Sequence, residues 1–199
     1  HRYLHLSLRL QRQMCIRDRL LPARVTGWKG HLILVDAVSQ LLEKKVLNIE
    51  VLFFGPDQNK LLKEKIENSI RQKNLQHIIK FYGSTKKMNL IYALSDIVIS
   101  SSTDPEAFGR VSIEAQAMGK LIIASAHGGS QETILEGKTG YLYSPKNSFE
   151  LMEKISSAID QKTYCSNEMS ASAIEHIKSN YGKDKMCEKT LEFYQEIIS

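Results

Sequence analysis

Two hydrophobic periods alternate along most of this chain. Short runs of β-branched and aromatic residues are each followed by a stretch in which apolar residues recur every three or four positions. Ile49 to Phe54 is such a run; it ends at Gly55-Pro56 and predicts a buried strand. Ile78 to Tyr82 ends at Gly83, Ile97 to Ser102 ends in polar residues, and Leu121 to Ala126 ends at His127-Gly128-Gly129. Thr139 to Tyr143 is a last, weaker strand. Between the runs, Leu32, Val35, Val38 and Leu42 mark one helical face, and Leu62, Ile66 and Ile70 mark another. Met88 to Leu94 predicts a shorter helix, and Val111 to Met118 a helix stopped by Gly119, a common C-terminal glycine. Helices also fit Phe149–Ile159, Met169–Lys178 and Asp184–Ile198.

Strands buried on both faces and separated by helices require crossover connections and a mostly parallel sheet. The expected fold class is therefore α/β: a doubly wound, mostly parallel, Rossmann-like sheet. In such sheets ligands sit beyond the carboxyl ends of the strands, where the strand order switches. The polar, glycine-marked residues after each strand are where chemistry is to be sought. No internal repeat or linker divides residues 20–199, which read as one domain. Only Leu20-Leu21-Pro22-Ala23 precedes Arg24, so the usual central first strand is expected to be clipped.

Composition sharpens this reading. With 199 residues, 42% hydrophobic and 25% charged, the chain suits one soluble globular domain able to hide ~70% of its unfolded surface. Collagen-like, low-complexity and disordered classes are excluded, and no apolar run approaches the ~20 residues of a membrane-spanning helix. Cys15, Cys165 and Cys187 show neither zinc spacing nor a disulfide framework, which suits a reducing cytosol. The net charge of +5 is concentrated in residues 1–19, where five arginines face one acid; residues 20–199 carry only +1. The folded body has no basic patch interleaved with aromatics, so no nucleic-acid partner is expected. Residues 1–19 have no sustained period, and Gln13 to Arg19 resembles translated sequencing-adapter sequence from assembled metagenomic reads. A genuine basic arm is the alternative. The segment is set aside as non-native or disordered.

The densest chemical signal is Asp104-Pro105-Glu106-Ala107-Phe108-Gly109-Arg110-Val111-Ser112-Ile113-Glu114. Gly109 lets backbone approach a ligand, and the free amides of a helix's first turn form a ready phosphate site. Glu106 can reach what the phosphate carries, and Glu114, about one turn into the helix, can accept two hydrogen bonds from a cis-diol. On spacing alone, an acidic helix entry that complements the dipole explains these residues equally well. Arg24-Val25-Thr26-Gly27-Trp28-Lys29-Gly30 puts two cations across a short loop, suited to a diphosphate, though solvated surface cations are as common. His127-Gly128-Gly129-Ser130-Gln131-Glu132 permits tight backbone approach after a strand, and a backbone-bonded His127 is favoured over a catalytic base.

Taken together, these residues resemble the retaining GT-B glycosyltransferases known as family 4 or group 1, over about nine-tenths of the chain. The motifs stand in family order: Arg-(four residues)-Lys-Gly, strand-Gly at 55 and 83, Glu-x7-Glu, Gly-Gly-x-x-Glu, and Gly-x-Thr-Gly at 137–140. The resemblance implies the C-terminal, donor-binding domain of an enzyme that moves a sugar from a nucleotide-diphosphate donor with retention. Arg24 and Lys29 would neutralise the diphosphate, and Glu106 would hold sugar hydroxyls as a positioning and electrostatic group. The backbone of Phe108, Gly109 and Arg110, with Val111 and Gly129, would bind the distal phosphate and sugar. Glu114 would hold the ribose diol, and Gly83 and Ser84 would border the base. No Asp-x-Asp occurs, and no metal or other cofactor is expected.

The family's N-terminal, acceptor-binding domain has no counterpart in this sequence. The chain alone is therefore expected to bind donor weakly and transfer nothing. Tyr181, Met186, Leu191, Phe193, Tyr194 and Ile197 resemble the last family helix, which would be left with an exposed apolar face. The neighbourhood of Ser101 to Arg110 points to bacterial cell-surface or lipopolysaccharide synthesis, with a glycan or lipid acceptor. A cytoplasmic location is expected, with peripheral attachment to the inner face of the membrane left open. A noncatalytic nucleotide-binding domain and a GT-B nucleotide-sugar epimerase are the competing functions. A dehydrogenase is disfavoured, since no Gly-x-Gly-x-x-Gly follows a strand.

Overall fold

The computed structural model describes residues 17–45, 49–163 and 166–198, those at 17–21 as backbone alone. Residues 1–16, with Cys15, and Cys165 lie outside the described residues. Among the described residues six strands alternate with five α-helices and three further α-helices follow: β1 (Arg17–Pro22), α1 (His31–Glu43), β2 (Ile49–Phe54), α2 (Lys60–Gln72), β3 (Ile79–Tyr82), α3 (Met88–Leu94), β4 (Ile97–Ser100) and α4 (Arg110–Ala117) come first. They are followed by β5 (Leu121–Ser125), α5 (Gly129–Thr133), β6 (Tyr141–Tyr143), α6 (Ser148–Asp160), α7 (Asn167–Tyr181) and α8 (Lys183–Ile198). The sheet order is β3-β2-β1-β4-β5-β6 and every pairing is parallel. The switch in order falls at β1, between β2 and β4.

Strand alternation divides the core into two layers. Val51, Phe53, Ile97, Ile99, Leu121 and Ile123 face α1, α2 and α6. Leu52, Phe54, Val98, Ile122 and Ala124 face Ile91 and Tyr92 of α3 and Ala115 of α4. This two-sided burial is why the strand sequences read as nearly unbroken apolar runs. Glu50, buried within β2, is tolerated because Lys80 on β3 pairs with it. Helix entries follow the capping rules: Asn59 accepts from the Leu62 amide at 3.0 Å, Asn147 from Glu150 at 3.0 Å, and Ser166 from Met169 at 3.2 Å.

Three expectations need correction. The central first strand is six residues long rather than clipped, and it begins at Arg17, inside the segment set aside. Ladder bonds are made by backbone, so the chain leading into Leu20 fills the slot between β2 and β4 whatever its composition. The strand expected to reach Ser102 stops at Ser100, because the next two residues leave the ladder to fasten loops. Ser101 Oγ donates to the carbonyls of Lys29 (3.1 Å) and Gly30 (3.0 Å), and the Ser102 carbonyl accepts from Ser125 Oγ at 2.8 Å. Tyr181, grouped with the exposed C-terminal face, instead ends α7 and packs back. Its hydroxyl donates to the Glu132 carbonyl at 2.8 Å and its ring meets Phe108 edge-on at 6.2 Å. Beyond it, α8 buries none of its residues, and Met186, Leu191, Phe193, Tyr194 and Ile197 are exposed. No described helix is long and apolar enough to cross a membrane.

Candidate functional site

At the carboxyl ends of β1, β2 and β4 a cleft of about 560 Å³ opens where the strand order switches. One wall is Pro22, Ala23, Arg24, Trp28 and Lys29; another is Phe54, Gly55, Pro56, Ser84, Thr85, Met88 and Tyr92. The third is the β4–α4 loop and the start of α4, from Pro105 to Val111 with Glu114. Arg24, Lys29, Glu106, Phe108, Gly109, Arg110, Val111, Glu114 and Ser84, all singled out from the sequence, thus share one cavity. Gly83 is exposed just beyond its rim, and Gly129 is buried behind it.

Gly129 has a different job from ligand contact. Its amide donates to the Glu106 carbonyl at 2.8 Å, and a side chain there would meet the Phe108 backbone at 2.4 Å. Gly128, at φ +55°, would likewise collide with the Glu106 carbonyl at 2.4 Å. The glycine pair is therefore the seat of the β4–α4 loop. His127 completes it: Nε2 lies 2.9 Å from the Ser102 carbonyl, which can only accept, so Nε2 carries the proton. This is the backbone-bonded role expected of that histidine.

Seated this way, the loop delivers Glu106 to Lys29. Nζ donates to Oε1 at 2.7 Å, and both side chains are nearly buried, at 12% and 11% exposure. The Ser102 hydroxyl donates to the same oxygen, so Oε1 is doubly occupied while Oε2 has no protein donor among the described residues. Lys29 closes a single 3-10 turn, Gly27–Lys29, where the sequence suggested only a loop. Its ammonium lies 4.2 Å from the centre of the Trp28 ring. Arg24, on the same wall, is exposed and makes no ion pair among the described residues. Beneath Lys29, buried His31 meets Phe53 edge-on at 5.1 Å. Burial, reinforced by the Lys29 charge, lowers its pKa to about 4.

Gly109 caps α4 in the left-handed region, at φ +69°, with no side-chain cap. Ser112 and Ile113 bond back to the Gly109 carbonyl, leaving the amides of Arg110 and Val111 without backbone partners among the described residues. One turn on, Glu114 is held at both oxygens: Oε2 accepts from the Tyr92 hydroxyl at 2.9 Å and Oε1 from Arg110 Nη2 at 3.2 Å. Burial and the Glu114 charge push the Tyr92 pKa well above the usual phenol range, so the hydroxyl stays a donor. Among the described residues no three His, Cys, Asp or Glu side chains gather in a way that could hold a metal ion.

Sequence reasoning passed over Trp28, Tyr92 and Ser102. Trp28 stands between the two cations it singled out, and a buried tyrosine needs a partner for its hydroxyl, so both left a usable signal. Ser102 left none, since it was counted into a strand.

Residues 19–179 match the family described as Glycosyl transferases group 1. The chain is 33% identical over 153 residues to the lipopolysaccharide 1,2-N-acetylglucosaminetransferase of Salmonella typhimurium, covering 72% of this chain and 39% of that protein. The crystal structure of a glycosyltransferase from Rickettsia africae superposes with a TM-score of 0.84 at 33% identity, over 96% of this chain and 52% of its own. Anabaena HepE, solved in complex with UDP, superposes with a TM-score of 0.86 at 25% identity, again over 96% and 52%. The chain spans about half the length, or less, of these relatives.

Proposed function

Since this chain belongs to the group 1 glycosyl transferases and has the fold of their C-terminal GT-B domain, we propose that it is the donor-binding half of an enzyme that transfers a sugar from a nucleotide-diphosphate sugar with retention. One observation carries the reading. Two cations, a helix start with free amides and a pair of carboxylates line a single cleft at the switch in strand order.

The chemistry follows from the parts. Breaking the bond from sugar to diphosphate puts negative charge on the leaving group, and fixed donors lower that barrier without reorganising. Lys29 has three N–H donors; Glu106 occupies one, which holds the ammonium in place and leaves two for phosphate oxygens. The amides of Arg110 and Val111, at the positive end of α4, take the distal phosphate, and Arg24, exposed on the same wall as Lys29, brings a second cation to the diphosphate. Glu106 keeps Oε2 for hydroxyls of the transferred sugar. Its charge also favours the oxocarbenium-like state through which retaining transfer on the donor face proceeds. Glu114 takes the ribose diol, and the base lies toward Ser84 and Gly83.

In this reading the acceptor is held by the part of the relatives that this chain does not span. Similarity to the Salmonella enzyme supports a bacterial cell-surface glycan or lipopolysaccharide as acceptor. Calorimetry with uridine, guanosine and adenosine diphosphates tests the proposal directly. One of the three is expected to bind this chain, and binding to Lys29→Ala is expected to be at least about tenfold weaker. Absence of binding by all three overturns the reading.

A further inference from the structure

We infer that Tyr92 is a positioning residue that makes the cleft select ribonucleotides over 2′-deoxyribonucleotides, by presenting Glu114 with one open acceptor site on each oxygen. The inference rests on the donor-binding reading above and adds to it the element that fixes the carboxylate.

A glutamate side chain turns about several bonds, and Glu114 is 41% exposed, so its helix alone does not orient it. Arg110 occupies one acceptor site of Oε1 but does not fix the orientation of the carboxylate, because its own side chain is 81% exposed. Tyr92 differs. Its ring is buried in the core layer with Phe54, Ile91 and Val98, and only its hydroxyl end reaches the cleft. The 2.9 Å bond to Oε2 thus ties a mobile carboxylate to a rigid part of the fold. A carboxylate has about four acceptor sites. With Tyr92 on Oε2 and Arg110 on Oε1, one site per oxygen remains, the pair a vicinal diol needs. A sugar lacking the 2′-hydroxyl fills only one of them and leaves the other acceptor short of a donor, which is what discriminates against it.

The test compares wild type with Tyr92→Phe, which keeps the ring in its layer and removes the hydroxyl. Calorimetry is run with uridine, guanosine and adenosine diphosphates, their 2′-deoxy counterparts, and inorganic pyrophosphate. Wild type is expected to bind the ribonucleotide about tenfold more tightly than its deoxy form. In Tyr92→Phe that gap should fall to about threefold or less, while pyrophosphate affinity is unchanged. Should Tyr92→Phe not fold, Tyr92→Leu, which also removes the hydroxyl and stays apolar, serves the same comparison. A gap that survives in the variant overturns the inference, as does a parallel loss of pyrophosphate affinity, which would mark general damage to the cleft. Equal binding of ribo and deoxy forms by wild type overturns it while leaving the nucleotide reading intact. Failure of all three ribonucleotides to bind wild type overturns both.

Discussion

The two carboxylates of the cleft sit eight residues apart on the same loop-to-helix unit, yet the fold treats them in opposite ways. Glu106 is nearly buried, and its ammonium partner and a serine hydroxyl share one oxygen. Glu114 is half in water, and each of its oxygens has a different donor. A buried charge is tolerated only with a partner, so Glu106 and Lys29 depend on each other for the stability of the fold. An exposed carboxylate is already solvated, so Glu114 can be spared by the fold and reserved for a ligand. One end of the cleft is thus coupled to folding; the other is coupled to recognition.

Substitutions separate the two ends, and the largest effect is expected at the first. Lys29→Met strands the Glu106 carboxylate and should lower folding stability by on the order of 3 kcal/mol in chemical denaturation. Adding Glu106→Gln to that variant should recover much of the loss. An unchanged double variant would mean that the pair is not coupled to folding.

His31, beneath the same ion pair, gives the next effect. Its folded pKa of about 4 lies below the unfolded value of about 6.5, so the unfolded chain takes up the extra proton between them. Stability should therefore be full above pH 6.5 and fall as the pH drops toward 4. The loss at pH 4.5 relative to pH 7 is about 2–3 kcal/mol. His31→Leu should remove this component from the pH dependence of the urea midpoint.

At the exposed end, Glu114→Ala should cost less than about 1 kcal/mol in stability but about tenfold in nucleoside diphosphate affinity. A large stability loss with unchanged affinity would invert the comparison. Arg110→Ala comes last, at under about 0.5 kcal/mol, since its pairing with Glu114 is a surface i,i+4 contact.

Much of this arrangement was legible in the sequence because two-sided burial writes itself into a chain. Ile49 to Phe54 and Met88 to Leu94 fall on β2 and α3 to the residue, and the glycine after each strand marked where the cleft would open. The cleft's cations and acids were legible for the same reason, since each stands one loop after a strand. Three things were not. Arg17 to Arg19 lack strand-like character, yet ladder bonds are indifferent to side chains and a central slot recruits them. Gly129 suggested ligand contact because a sequence shows that backbone comes close, not what it comes close to; here it is the Glu106–Phe108 segment. Tyr92 was hidden by its own ring, which satisfies the apolar period of α3 while its hydroxyl does something else.

The indole beside Lys29 has a practical consequence. Trp28 is the single tryptophan of the chain, so the near-ultraviolet emission excited at long wavelength arises from one wall of the cleft and nowhere else. A ligand that draws the ammonium off that ring changes the fluorophore's surroundings directly. The molecule carries its own optical gauge of occupancy, and titrations can be followed on unlabelled protein.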